Sequence, residues 1–146
     1  MKPFKLQVVL DHRQRLEDQA QQKLFQAVSA EQQVCARINE AQEHLESLSI
    51  EYEERQSKGM LSHEFMLYEN RLEHQRQHLL ELDGEHKRAQ DFIHKCREEL
   101  LEASKNKHLL AKLKEKKLAE LEQEMKIQEM NELDEMTTLR YFKDDV

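Results

Sequence analysis

Histidine and cysteine are the side chains here that could bring metal-binding or nucleophilic chemistry, and the chain holds eight of the first and two of the second. His74 and His78 stand four residues apart. On a helix that spacing turns two imidazoles to one face, as in paired zinc ligands. The segment reads His-Gln-Arg-Gln-His, so it lacks the glutamate that makes such a pair hydrolytic. Arg76 lies between the two in sequence, and no nearby Cys or carboxylate completes a set. Both read as solvent-exposed histidines; no metal ligand and no cofactor are expected. Nor does the chain carry a phosphate-cradling glycine loop, a nucleophile elbow or a CxxC pair. No catalytic residue is assigned, and an enzyme is not expected.

The elements that would position these residues follow from composition. The chain has 146 residues, 36% charged and 38% apolar, with two Gly, one Pro and no Trp. A fold of five or six elements needs a turn signal every ten to fifteen residues, roughly, and these breakers are too few. High charge with modest hydrophobicity also suits disorder, but disordered chains are rich in Pro, Ser and Gly. This one is rich in Glu, Gln, Lys, Leu and Ala, which favour helix. A net charge of −7 argues against a general nucleic-acid binder. No apolar run approaches the roughly 20 residues that cross a bilayer. The start, Met1-Lys2-Pro3-Phe4-Lys5, lacks a secretory signal's apolar core. Two lone cysteines suit a reducing compartment, and a cytoplasmic location is expected.

Periodicity decides between helix and disorder. A 4-and-3 spacing runs from Leu6 and Leu10 through Ala20, Leu24, Ala27, Val34, Ile38, Ala41, Leu45, Leu48 and Tyr52, with Arg13, Glu17 and Glu31 at seam positions. A second series runs Leu61, Phe65, Tyr68, Leu72, Leu79, Leu82, Ala89, Ile93, Cys96, Leu100, Ala103 and Leu110, with Gln75, His86 and Lys107 on its seam. A spacing that averages 3.5 over many heptads marks a coiled coil.

Between the series, Gly59 suits the left-handed residue that closes a helix, and Ser62 suits the cap that opens the next. Leu61 and Met66 have the spacing of a hydrophobic staple. Gly84 lies two residues past Leu82, towards solvent, and the apolar phase continues across it, so it predicts a soft spot and not a turn. The expected fold is all-α: one rod with helix 1 over about 5–57, a turn over about 58–62 and helix 2 over about 63–140. So short a turn predicts an antiparallel coiled coil, with residue i level with roughly residue 120 − i. Helix 2 then overhangs at the C-terminus. Cys35 falls opposite Glu85, about 11 residues or some 16 Å from Cys96, beyond the reach of a disulfide.

Near Leu110 the phase is expected to shift, with Leu113, Leu118, Leu121 and Met125 replacing strict heptads, as a four-residue insertion does. Ile127, Met130, Leu133, Met136 and Leu139 continue the stripe where no intramolecular partner is left. An isolated helix so apolar is marginal in water, which points to a partner that covers it or to self-association. Lys105, Lys107, Lys112, Lys114, Lys116 and Lys117 precede an acidic block from Glu120 to Glu135, a division of charge that can orient a partner.

The opening Phe4–Asp18 and the closing stretches Leu113–Lys117 and Asn131–Met136 together resemble the FliJ family of flagellar (type III) export proteins. Phe4-Lys5-Leu6-Gln7-x-Val9-Leu10-Asp11-x-Arg13-x-Arg15-x-Glu17-Asp18 is similar to the family's opening, and Leu113-Lys114-Glu115-Lys116-Lys117 with Asn131-Glu132-Leu133-Asp134-Glu135-Met136 to its closing stretch. The resemblance implies a stalk-like coiled coil, monomeric when free, that binds the hexameric export ATPase ring and links it to the membrane export gate protein and export chaperones. It implies a cytoplasmic protein peripherally associated with the inner membrane at the export apparatus. By the same resemblance the ATPase end comprises Leu6, Val9, Leu10, Arg13, Leu118, Leu121, Met125, Leu133 and Met136. The gate-facing region is early helix 2, with Tyr68, Arg71, Leu72, Gln75 and His78. Neither nucleic acid nor direct membrane insertion is implied. The competing reading is a structural coiled coil that self-associates through its C-terminal overhang.

Overall fold

The computed structural model describes the backbone of residues 2–144 and the side chains of residues 5–143. It contains two helices, α1 (Lys2–Lys58) and α2 (Ser62–Asp144), which pack against each other. α1 thus begins a few residues before the expected start, and α2 ends a few residues after the expected stop. The described part of α2 is unbroken at Gly84.

The connection is three residues long. Gly59 has φ of +91°, a left-handed conformation that glycine adopts without a side-chain penalty, and its N–H donates to the carbonyl of Gln56. Ser57 Oγ donates to the carbonyl of Glu54 at 2.7 Å, satisfying another acceptor of the last turn. Arg55 and Lys58 place positive charge on the negative end of the α1 dipole. The start of α2 departs from expectation. The carbonyl of Leu61 already accepts from the N–H of Phe65, so Leu61 occupies the cap and Ser62 lies in the first turn. Leu61 and Met66, expected as a staple, are each 63% exposed, while Met60 packs on the nearby core.

The contacts fall into two compact units, residues 18–101 and residues 1–17 with 102–146. In the first, the buried side chains are Ala27, Val34, Ala41, Leu48 and Tyr52 on α1 with Tyr68, Leu72, Leu82, Ile93 and Cys96 on α2. Their 4-and-3 spacing is the one read from the sequence, and Glu31, Gln75 and His86 occupy half-buried positions in the same phase. Cys96, at 1% exposed, packs with Ala27 and Ile93. Cys35 is half-buried, and both thiols are free. Polar contacts cross the seam from Lys23 to Glu99 at 3.0 Å, from Arg37 to Glu85 at 3.3 Å and from Tyr52 to Glu69 at 3.0 Å. The residue number falls on α2 as it rises on α1.

The bulkiest packing lies beside the connection. Tyr52 and Tyr68 meet edge to face at 5.3 Å between centroids, and Phe65 leans on Tyr52 at 5.6 Å. Each tyrosine keeps its hydroxyl satisfied across the seam, Tyr52 donating to Glu69 and Tyr68 to Glu51. Burial, reinforced by these bonds to carboxylates, raises both phenolic pKa values.

A Cβ at Gly84 would meet only Arg88 Nη1 at an ordinary 3.7 Å, so Gly84→Ala should stabilise the helix by about 1 kcal/mol in urea denaturation. Gly59→Ala has open space but positive φ, and should cost about 1 kcal/mol. A raised tyrosine pKa means the folded chain holds its proton more tightly. The stabilisation is therefore complete below the ordinary tyrosine range and is lost as pH climbs through it towards the raised values. Ultraviolet titration should show Tyr52 and Tyr68 ionising late, and the Tyr52→Phe, Tyr68→Phe double variant should lose that part of the alkaline sensitivity.

Candidate protein-binding surface

In the unit formed by residues 1–17 and 102–146, burial is partial and confined to one stretch. Leu6, Leu10, Arg13 and Glu17 on α1 are half-buried, as are Ala103, Lys107, Leu110 and Lys114 on α2. Lys107 Nζ lies 3.3 Å from Glu17 Oε1, and Lys114 donates to Gln7, whose own amide donates to Asp11. The 4-and-3 phase therefore continues through Lys114, and Leu113 is 41% exposed. The shift expected near Leu110 does not occur in the packing there. Lysine has a long apolar stem, so it can cover a seam position while its ammonium reaches a polar partner, a role that an apolar pattern overlooks. Lys107 is correspondingly tied to Glu17.

Beyond Lys114 the character changes. Every side chain from 115 to 143 is exposed. This stretch includes Leu118, Leu121 at 42%, Met125 at 62%, Ile127, Met130, Leu133, Met136 and Leu139. Tyr141 and Phe142 add an exposed edge-to-face aromatic pair. Thr137 and Thr138 turn their hydroxyls back to the carbonyls of Leu133 and Asp134. Isolated apolar side chains on a surface need no explanation, but a sustained series along one helix marks an interaction surface.

The residues assigned to the ATPase end all belong to this unit: Leu6, Leu10 and Arg13 half-buried in the paired stretch, Val9 exposed beside it, and Leu118, Leu121, Met125, Leu133 and Met136 on the exposed stretch. The residues assigned to the gate belong to the other unit and divide. Tyr68 and Leu72 lie in its core with Leu48 and Tyr52. Arg71 and His78 are exposed, and Gln75 is half-buried. Arg71 stands over the Tyr68 ring at 5.9 Å. Arg71 and Gln75 border a shallow groove with His44 and His74, and Gln75 and His78 another with Arg37 and Glu40.

His74 and His78 are both exposed, and the cluster of ligand-type side chains lies elsewhere. Glu31, Cys35 and His86, all half-buried, bring one donor atom each within 4.8 Å of one another. Glu31 and His86 were legible as polar interruptions of their seams. What was not legible is that they interrupt the seam at the same level, with Cys35 one turn from Glu31.

The surface is thus an apolar helix stretch beside a short two-helix segment. Among the described residues no helix is long and apolar enough to cross a membrane. No curated protein and no solved structure matches the chain. A family model described as "Flagellar FliJ protein" matches residues 1–145, nearly the full length, and the start and end motifs both fall inside that match. The chain therefore belongs to the flagellar FliJ protein family and is a flagellar export-related protein.

Proposed function

We propose that this chain is an antiparallel coiled coil that acts as a stalk: it binds the hexameric export ATPase, and links it to the membrane export gate and to export chaperones. The falling residue number on α2 against the rising number on α1 supports the antiparallel reading. The observation that carries the function is the apolar series from Leu118 to Met136, fully on the surface within the unit that also holds Leu6, Val9, Leu10 and Arg13. Water is a poor environment for these side chains, and a partner surface that covers them gains about 25 cal/mol for each Å² of apolar area removed from water. The basic block before the series and the acidic block within it would orient the partner.

For the gate, contact falls to Arg71, Gln75 and His78, because Tyr68 and Leu72 are occupied by the core. In this reading the protein is cytoplasmic, peripheral at the inner membrane, and monomeric until it meets its partners.

Replacing Leu121 and Met125 together with Asp should abolish stimulation of the partner ATPase. Helicity and unfolding midpoint should hardly move, since neither side chain is buried. Undiminished stimulation by that variant would exclude this end as the ATPase contact. The same exposed stripe also suits a second copy of the chain, as in a self-associating scaffold. Sedimentation equilibrium should find a monomer; a tight dimer that disappears on truncation after Ala111 would favour the scaffold.

A further inference from the structure

We propose that Glu31, Cys35 and His86 form a binding site for a borderline divalent transition metal, Zn²⁺ foremost, that clamps α1 to α2. The site lies in the unit of residues 18–101, and the inference is independent of the stalk reading.

Glu31 and Cys35 are one helical turn apart on α1, so their side chains share a face, and His86 reaches them from α2. The imidazole Nε2 lies 2.8 Å from Glu31 Oε1, and Cys35 Sγ lies 3.3 Å from that same oxygen. The three donor atoms are all within 4.8 Å of one another. Around a tetrahedral zinc with bonds of about 2.0–2.3 Å, ligand atoms sit roughly 3.3–3.8 Å apart, so small side-chain rotations suffice to admit the ion. At present the carboxylate serves as the shared partner of a thiol and an imidazole. Metal would take that central place: the thiol proton passes to solvent, the imidazole binds through Nε2 with its proton on Nδ1, and the carboxylate turns an oxygen to the ion.

The donor chemistry selects the ion class. One sulfur, one nitrogen and one oxygen suit Zn²⁺ and its neighbours, whereas Mg²⁺ and Ca²⁺ demand oxygen throughout. One thiolate and one carboxylate balance the two positive charges, which suits a place where the Glu31 and His86 side chains are only 20% and 21% exposed. Three protein ligands leave a fourth position for water. The location adds a reason. Glu31 and His86 each fill a seam position where an apolar side chain would pack better, and a metal bridge offsets that loss while fixing helix against helix.

The test uses the full chain with its thiols kept reduced. Co²⁺ titration should reach one ion per chain and give the near-ultraviolet thiolate-to-cobalt charge-transfer band, which Zn²⁺ should erase. Cys35→Ser should lose the band, while Cys96→Ala and the His74→Ala, His78→Ala double variant should keep it. Because even an outer-shell partner of a metal is worth roughly 10- to 100-fold in affinity, Glu31→Gln should weaken Zn²⁺ at least about tenfold against a chromogenic chelator. Zn²⁺ should raise the Tm of the native chain but not of Cys35→Ser. His86→Gln separates ligand loss from misfolding: an amide on the seam can still donate to Glu31, so the metal-free Tm should hold while the metal is lost. A band that survives Cys35→Ser, one ion per two chains, or unchanged affinity in His86→Gln would each overturn the site and leave adventitious surface binding only.

Discussion

The seam between two helices is the constraint on which the rest depends. With two helices among the described residues, apolar surface leaves water along the stripe where one helix covers the other. In residues 18–101 that stripe is filled every three or four residues, from Ala27 and Cys96 to Leu48, Tyr52, Tyr68 and Leu72. The core is narrow and built partly of small side chains, so each position contributes little alone. The ion pairs flanking it, Lys23–Glu99 and Arg37–Glu85, are largely exposed and add little energy. Stability must come from repetition along the stripe.

Polar residues on the seam supply what repetition cannot, because a regular heptad repeat fits equally well when slid by one heptad. Glu31 meets His86, Glu17 meets Lys107, and Gln7 meets Lys114. Displacing the helices by a heptad would set Glu31 and His86 against apolar seam residues, Ile93 or Leu79 and Leu24 or Ile38, with their hydrogen bond unmet. Such pairs cost some burial and fix the register.

Much of the architecture was legible because helix periodicity is local. The two helices, the left-handed Gly59, the continuous α2 through Gly84 and the seam positions of Arg13, Glu17, Glu31, Gln75, His86 and Lys107 all follow from spacing. What escaped depends on geometry across the pair or on a single peptide unit. Whether Leu61 or Ser62 caps α2 turns on one hydrogen bond. The continued packing at Lys114 turns on the reach of a lysine stem. Tyr68 and Leu72 suited an exposed gate contact as well as a core until their partners on α1 were known. The meeting of Glu31, Cys35 and His86 required the register to within about one helical turn, finer than spacing along one helix can fix.

The three-residue connection also dictates the order in which contacts can form. Tyr52 and Glu69, beside it, are 17 residues apart in the chain, whereas Gln7 and Lys114 are separated by 107. Closing the short segment first costs least chain entropy, and each pair added after it encloses only a few more residues. The aromatic group of Tyr52, Phe65 and Tyr68 is thus placed to nucleate a zipper that closes away from Gly59. During synthesis the order is harsher: Leu6 and Leu10 emerge long before the residues opposite them, near Leu110 and Lys114, since Gln7 and Lys114 are 107 residues apart. These apolar positions are made long before they can be covered.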